Sequence, residues 1–223
     1  MDNIELIIIA VIILVVLFAV LAIHFAELLG VGDSEITINA EGDTIKLEDL
    51  KKDILSLPKK ISSILEDTDV VKQFADAAFN EKDVFFLGRG IDETVAKEGS
   101  LKVKEISYIH SEAYAAGELK HGPIALIDDG INVISILTDP SLSKKSISNI
   151  QEVITRGAKT LVVTNQELEG HTFDYVIKIP EICPLISPIL SVVPLQLISY
   201  YISKNKGLDV DKPRNLAKSV TVE

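Results

Sequence analysis

A chain of 223 residues holds one ordinary domain and a substantial appendage, and 47% hydrophobic with 25% charged residues excludes disorder throughout. A net charge of −11, with no basic block and no Trp, excludes a nucleic-acid surface. Cys183 is the one cysteine, and the four histidines lack the spacing of zinc ligands. The expectation is therefore no disulfide, no metal, no cofactor and a reducing, cytoplasmic setting.

The first segment, Leu6–Ile23, is about eighteen apolar residues without a charge, at the lower limit for a membrane-spanning helix. Asp2 and Glu5 precede it where a signal peptide would be basic, and no Lys or Arg occurs before Lys46 to orient a span. A buried helix, apolar all round because both faces are covered, satisfies the same pattern, with Gly30 as its stop. Both readings stand on composition. Gly30–Asp43, rich in Gly, Asp and Ser, reads as a linker.

Ile45–Glu66 places Leu47, Leu50, Ile54, Leu57, Ile61 and Leu65 at helical spacing, which predicts one amphipathic helix or a pair broken at Pro58. Asp67–Phe79 predicts a second helix opened by an Asp or Thr cap. From Asp83 short apolar runs alternate with helical segments. Strands are expected at Val84–Leu87, near Ser107–His110, and at Val133–Leu137, Thr160–Thr164 and Tyr175–Ile179. Helices are expected at Glu93–Glu105, Leu142–Arg156 and Pro184–Ser203. Crossovers of that length require a mainly parallel sheet with helices on both faces, whose ligands lie beyond the strands' carboxyl ends.

Several residues in this frame carry chemistry. FLGRG (Phe86–Gly90) ends a strand before a helix, as either a tight turn or a cradle of amides for an anion. Glu98, Lys102 and Glu105 are spaced by four and three, so they share one helix face. Such a stripe is commonly a solvated salt-bridge row. Here it runs into SYIHSEAYAAGELKHGP, rich in His, Glu and Tyr, and Lys102 supplies a charge able to tune a carboxylate base. Gly122 and Pro123 place His121 on a loop, and the tail DVDKPRNLAKSVTVE carries Lys212, Arg214 and Lys218 on a Pro-stiffened segment apolar enough to pack. Spacing supplies acid–base groups without naming a substrate.

Glu98–Ala125 (EGSLKVKEISYIHSEAYAAGELKHGPIA) and Asp209–Glu223 (DVDKPRNLAKSVTVE) resemble the glutamine–fructose-6-phosphate aminotransferase (isomerizing), or glucosamine-6-phosphate synthase, family. FLGRG, SNIQEV (Ser148–Val153) and VVPLQLISYYISKNKGLDVDKPRN (Val192–Asn215) fit the same family, in its second sugar-isomerase domain. The resemblance implies an α/β fold, a flavodoxin-like five-stranded parallel sheet flanked by helices, occupying 81–223 with a catalytic tail. Residues 31–80 become a linker with helices. Residues 1–30 become the last helix of a first sugar-isomerase domain, the reading that moves Leu6–Ile23 back towards a buried helix.

It implies conversion of fructose 6-phosphate and ammonia to glucosamine 6-phosphate in amino-sugar biosynthesis. Lys218 would form a Schiff base with the open-chain ketose, and Ala217 beside it would contact substrate. Glu105 would move the proton between C1 and C2 next to Lys102. His121 would assist ring opening from an adjacent subunit, so a homodimer is implied, or a complex with a chain supplying the first sugar-isomerase domain. The sequence departs from the family in having no N-terminal cysteine nucleophile and no CGTS-like or SQSGET-like phosphate clamp, and Glu93–Thr94 replaces a frequent Tyr-Pro. Activity is then expected only with those parts supplied. A non-catalytic phosphosugar-binding or dimerisation module is the alternative, and under it Lys218→Ala leaves ligand affinity intact.

Overall fold

The computed structural model describes residues 35–37 and 44–215. Short strands β1 (Glu35–Thr37) and β2 (Thr44–Lys46) pair antiparallel and lead into α1 (Leu47–Glu66) and α2 (Asp69–Ala78). The rest alternates: β3 (Asp83–Gly88), α3 (Ile91–Ser107), β4 (His110–Ala115), β5 (Asn132–Leu137), α4 (Ser143–Ile154), β6 (Lys159–Thr164), β7 (Tyr175–Lys178) and α5 (Ser187–Asn205). All five strands from β3 on are parallel, in the order β4-β3-β5-β6-β7. The chain thus winds outwards both ways from a switch point between β3 and β5, the doubly wound arrangement.

The two-residue period of the strands divides the core. Val84, Phe86, Ile134, Ile136, Leu161, Val163 and Ile177 face one way and pack with residues of α1, α2, α3 and α5. Phe85, Leu87 and Val133 face the other way, against Val153 of α4 and Ala116 and Leu119 after β4. Helices α1 and α2, from the region read as linker with helices, share the first core with the sheet.

Pro58 does not break α1. An interior proline costs about 3 kcal/mol. Leu47, Leu50, Ile54, Leu57, Ile61 and Ile64 are buried along one face, and each contributes roughly 1.5–3 kcal/mol, which outweighs that cost. The innermost residue in the last turn is Ile64, with Leu65 half-buried beside it. Thr68 occupies the N-cap position of α2, yet its side chain makes no capping bond.

The strand expected near Ser107–His110 lies further on, at His110–Ala115. Ser107 ends α3 and Tyr108 turns the chain with φ 60. As an edge strand, β4 needs only one apolar face. Ser111 reaches back to Ser100 on α3, while His110, Glu112 and Tyr114 point the other way. Their polarity leaves the strand without the apolar run that marks the others.

Among the described residues no helix is long and apolar enough to cross a membrane. Leu6–Ile23, together with Ala217 and Lys218, lies outside the described residues.

Candidate functional site

Helix α3 carries the acidic and basic residues of the candidate site. Gly99 lets it sit close to the sheet and to α5: a Cβ there would stand 2.7 Å from Leu195 Cδ1 and 2.9 Å from Phe86 Cε1. Glu98, Lys102 and Glu105 lie on its outward face. Lys102 Nζ is 2.6 Å from Glu105 Oε2 and 3.6 Å from Glu98 Oε1. Partial burial pulls the Lys102 pKa down, but the hydrogen bond to Glu105 and the charges of Glu98 and Glu105 outweigh it. The pKa ends above the usual lysine value, so the ammonium stays charged beside Glu105 at neutral pH. Glu105 is the least exposed of the three side chains, at 26%.

Glu105 borders an open depression of about 380 Å³, shared with Tyr108, His110, Arg214 and Asn215. The Tyr108 hydroxyl accepts the Arg214 backbone N–H at 2.7 Å, and the Arg214 guanidinium lies 4.2 Å from the Tyr108 ring centroid. Arg214 and Asn215 are thereby held beside Glu105. His110 Nδ1 is 2.7 Å from Asp83 Oδ1, and its Nε2 is 3.8 Å from Glu112 Oε1.

His121 is elsewhere. It closes a 3-10 turn (Ala116–His121) after β4, with 73% of its side chain exposed and Glu118 at 3.9 Å. His110 begins β4 on the Glu105 side, and six strand residues span roughly 20 Å before that turn begins. Within one chain Glu105 and His121 stand at opposite ends of the sheet.

Sheet-fold reasoning placed ligands beyond the carboxyl ends of the strands, whereas Glu105 lies at the amino ends. The carboxyl-end turn at Phe86–Gly90 has a steric reason of its own. A Cβ at Gly88 would lie 2.3 Å from the Asp92 backbone, and Gly90 has φ 59. Asp92 is buried there and accepts from Thr138 N at 2.8 Å and Thr138 Oγ1 at 2.5 Å, with Ser187 Oγ 2.9 Å from that hydroxyl. Burial pushes the Asp92 pKa up against the lowering effect of the Thr138 bonds. Arg89 Nε donates to Asn149 Oδ1 at 3.0 Å, so FLGRG meets SNIQEV. Sequence reasoning passed over Asp92, Tyr108 and His110. The signal available for Tyr108 was an aromatic residue three positions after Glu105, where a helix stop favours Gly or Asn.

Glu112 supplies a further test along β4. Its hydrogen bond from the Tyr114 hydroxyl, with loss of hydration and the carboxylate charge, pushes the Tyr114 pKa up from 10.0 to about 12. The folded phenol holds its proton longer than the unfolded one. The stabilisation is thus fully present below pH 10 and is lost as pH rises through about 12. Tyrosinate absorbance is expected to show Tyr114 ionising late, and Glu112→Gln to return it towards the ordinary range. An unchanged titration in that variant rules the contact out.

Residues 79–203 match the SIS domain family. The chain is 58% identical over 207 residues to the glutamine–fructose-6-phosphate aminotransferase (isomerizing) of Clostridium perfringens, covering 91% of this chain and 32% of that protein. It is 41% identical over 203 residues to the protein of the same name from Thermococcus kodakarensis, covering 91% and 32%. The chain spans about a third of the length of these relatives. The C-terminal domain of glucosamine-fructose-6-phosphate aminotransferase from Francisella tularensis superposes with a TM-score of 0.71 at 34% identity, covering 75% of this chain and 48% of that one. A protein titled putative tagatose-6-phosphate ketose/aldose isomerase from Clostridium novyi shares the fold, with a TM-score of 0.67 at 22% identity. With a parallel sheet, a family match over most of it and these relatives, the chain belongs to the SIS-domain family.

Proposed function

We propose that this chain performs the isomerase part of glutamine–fructose-6-phosphate aminotransferase chemistry, with fructose 6-phosphate as its sugar. One observation carries the reading: Glu105 and the tail at Arg214 and Asn215 border the same depression. Lys218 follows Asn215 by three residues, a reach of roughly 10 Å. A tail of that reach would bring a primary amine to the same small ligand as the Glu105 carboxylate.

In this reading the Lys218 amine attacks the C2 carbonyl of the open-chain ketose, and loss of water leaves an imine. Ammonia from outside this chain displaces the lysine. Glu105 then takes a proton from C1 and one returns at C2, while the C1 hydroxyl gives up its proton and the imine nitrogen gains one, leaving the aldehyde and amine of glucosamine 6-phosphate. Lys102, charged and hydrogen-bonded, holds Glu105 ionised and oriented for that transfer. Ala217 contributes beside Lys218. In the same reading His121 assists ring opening from a second copy, and its place at the opposite end of β4 from Glu105 supports a contribution from another chain. The phosphate is held by a first sugar-isomerase domain on a partner, and the setting is cytoplasmic, where Cys183 persists as a buried free thiol.

Borohydride reduction with fructose 6-phosphate, in the presence of a protein carrying a first sugar-isomerase domain, tests this directly. Mass mapping is expected to find a stable sugar adduct on Lys218 and none in Lys218→Arg. Absence of any adduct with the partner present removes the catalytic reading in favour of a binding module.

A further inference from the structure

Tyr108 is a bulky residue in a conformation that suits glycine. It caps α3 with φ 60 and ψ 19, where Cβ crowds the backbone and Gly or Asn is the usual occupant. Nothing in the helix end itself asks for an aromatic ring. What the ring touches is the tail. Its hydroxyl takes the Arg214 amide hydrogen at 2.7 Å while its face lies under the Arg214 guanidinium at 4.2 Å. One side chain thus holds both the backbone and the side chain of a single residue, 106 positions away, which fixes direction as well as position.

The surroundings need such a hold. Desolvation and the nearby Arg214 charge push the Lys206 pKa below the usual lysine value, so Arg214 is docked next to a like charge. The quadrupole of the Tyr108 ring attracts the guanidinium and offsets that repulsion. Pro213 stiffens the approach, and Asn215, also left-handed at φ 62, turns the chain immediately afterwards.

We propose that Tyr108 is a positioning residue that latches the C-terminal tail, so that the segment after Asn215 departs from beside Glu105. The inference rests on the isomerase reading above, in which Lys218 and Glu105 serve the same sugar. It adds the device that registers one against the other.

Two variants of the full chain separate the contributions. Tyr108→Phe keeps the ring and loses the acceptor. Tyr108→Gly loses both while relieving the left-handed backbone, so the helix end folds at least as well. Without sugar, amide exchange at Arg214 is expected to quicken about tenfold or more in Tyr108→Gly and by an intermediate factor in Tyr108→Phe. With fructose 6-phosphate and the partner domain, borohydride trapping at Lys218 is expected to slow by a similar factor in Tyr108→Gly. The sugar concentration for half-maximal trapping should stay unchanged, a split that general destabilisation does not produce. Equal Arg214 exchange in wild type and Tyr108→Gly overturns the latch, as does faster exchange with undiminished trapping. Where even the wild type yields no adduct, the isomerase reading fails, and exchange alone then decides whether Tyr108 latches the tail.

Discussion

Replacing Glu105 by glutamine is expected to lower isomerisation by roughly 10²–10⁴-fold, the usual contribution of a positioned general base. The variant should leave the fold intact. The new side-chain amide can still accept a hydrogen bond from Lys102, and a partly exposed ion pair contributes only about 0–1 kcal/mol. Imine formation at Lys218 is an earlier, separate step and should survive, so borohydride still traps the Lys218 adduct while turnover falls. Glu105→Asp, which withdraws the carboxylate by one methylene, should lose roughly 10²-fold for geometric reasons alone. The measurement is incorporation of solvent deuterium at C2 of the product sugar, with the partner domain and ammonia supplied. Wild-type incorporation in Glu105→Gln would mean that another group moves the proton.

The layered α/β architecture was legible because buried parallel strands read as short apolar runs, and Val133–Leu137 and Thr160–Thr164 are of this kind. The strand order was not legible from spacing, since pairing β3 with both β4 and β5 is a property of the assembled sheet. His110–Ala115 was misplaced because an edge strand with one polar face lacks an apolar run. At Pro58 the sequence left one helix or a broken pair open, and the single helix forms because tertiary burial of the residues around the proline outweighs the local rule.

The site divides in the same way. Glu98, Lys102 and Glu105 were found by helical period, which is local, and Lys102 bridges the two carboxylates. The contacts that give the site its shape join distant positions, Tyr108 with Arg214 and Asp92 with Thr138. No periodicity announces a hydrogen bond across 106 residues. The amino-end location of Glu105 has a comparable origin. Helix α3 returns against the strand direction, so a residue in its last turn is delivered to the side opposite the switch-point turn. Chemistry written in one helix is therefore readable early, whereas its place in the sheet is not.

Gly88→Ala is expected to destabilise the protein by about 3 kcal/mol or more, because the added methyl has nowhere to go. Its Cβ would lie 2.3 Å from the Asp92 carbonyl carbon and oxygen and 2.4 Å from Glu93 N, all backbone atoms of α3. No rotamer change relieves that contact, so α3 must move off the sheet. The movement strains the Asp92–Thr138 bonds and shifts the helix that carries Glu105. A chain of this size loses roughly 2–4 °C in Tm per kcal/mol, so a fall of about 6 °C or more is expected in a thermal melt. Gly130→Ala is the control. That glycine has φ 82 with nothing within 4 Å of its Cβ position, so only backbone strain of about 1 kcal/mol opposes the methyl. Steric exclusion at the strand-to-helix turn predicts the larger loss at Gly88, and equal losses at the two positions would show that conformational strain, not close approach, explains the glycine there.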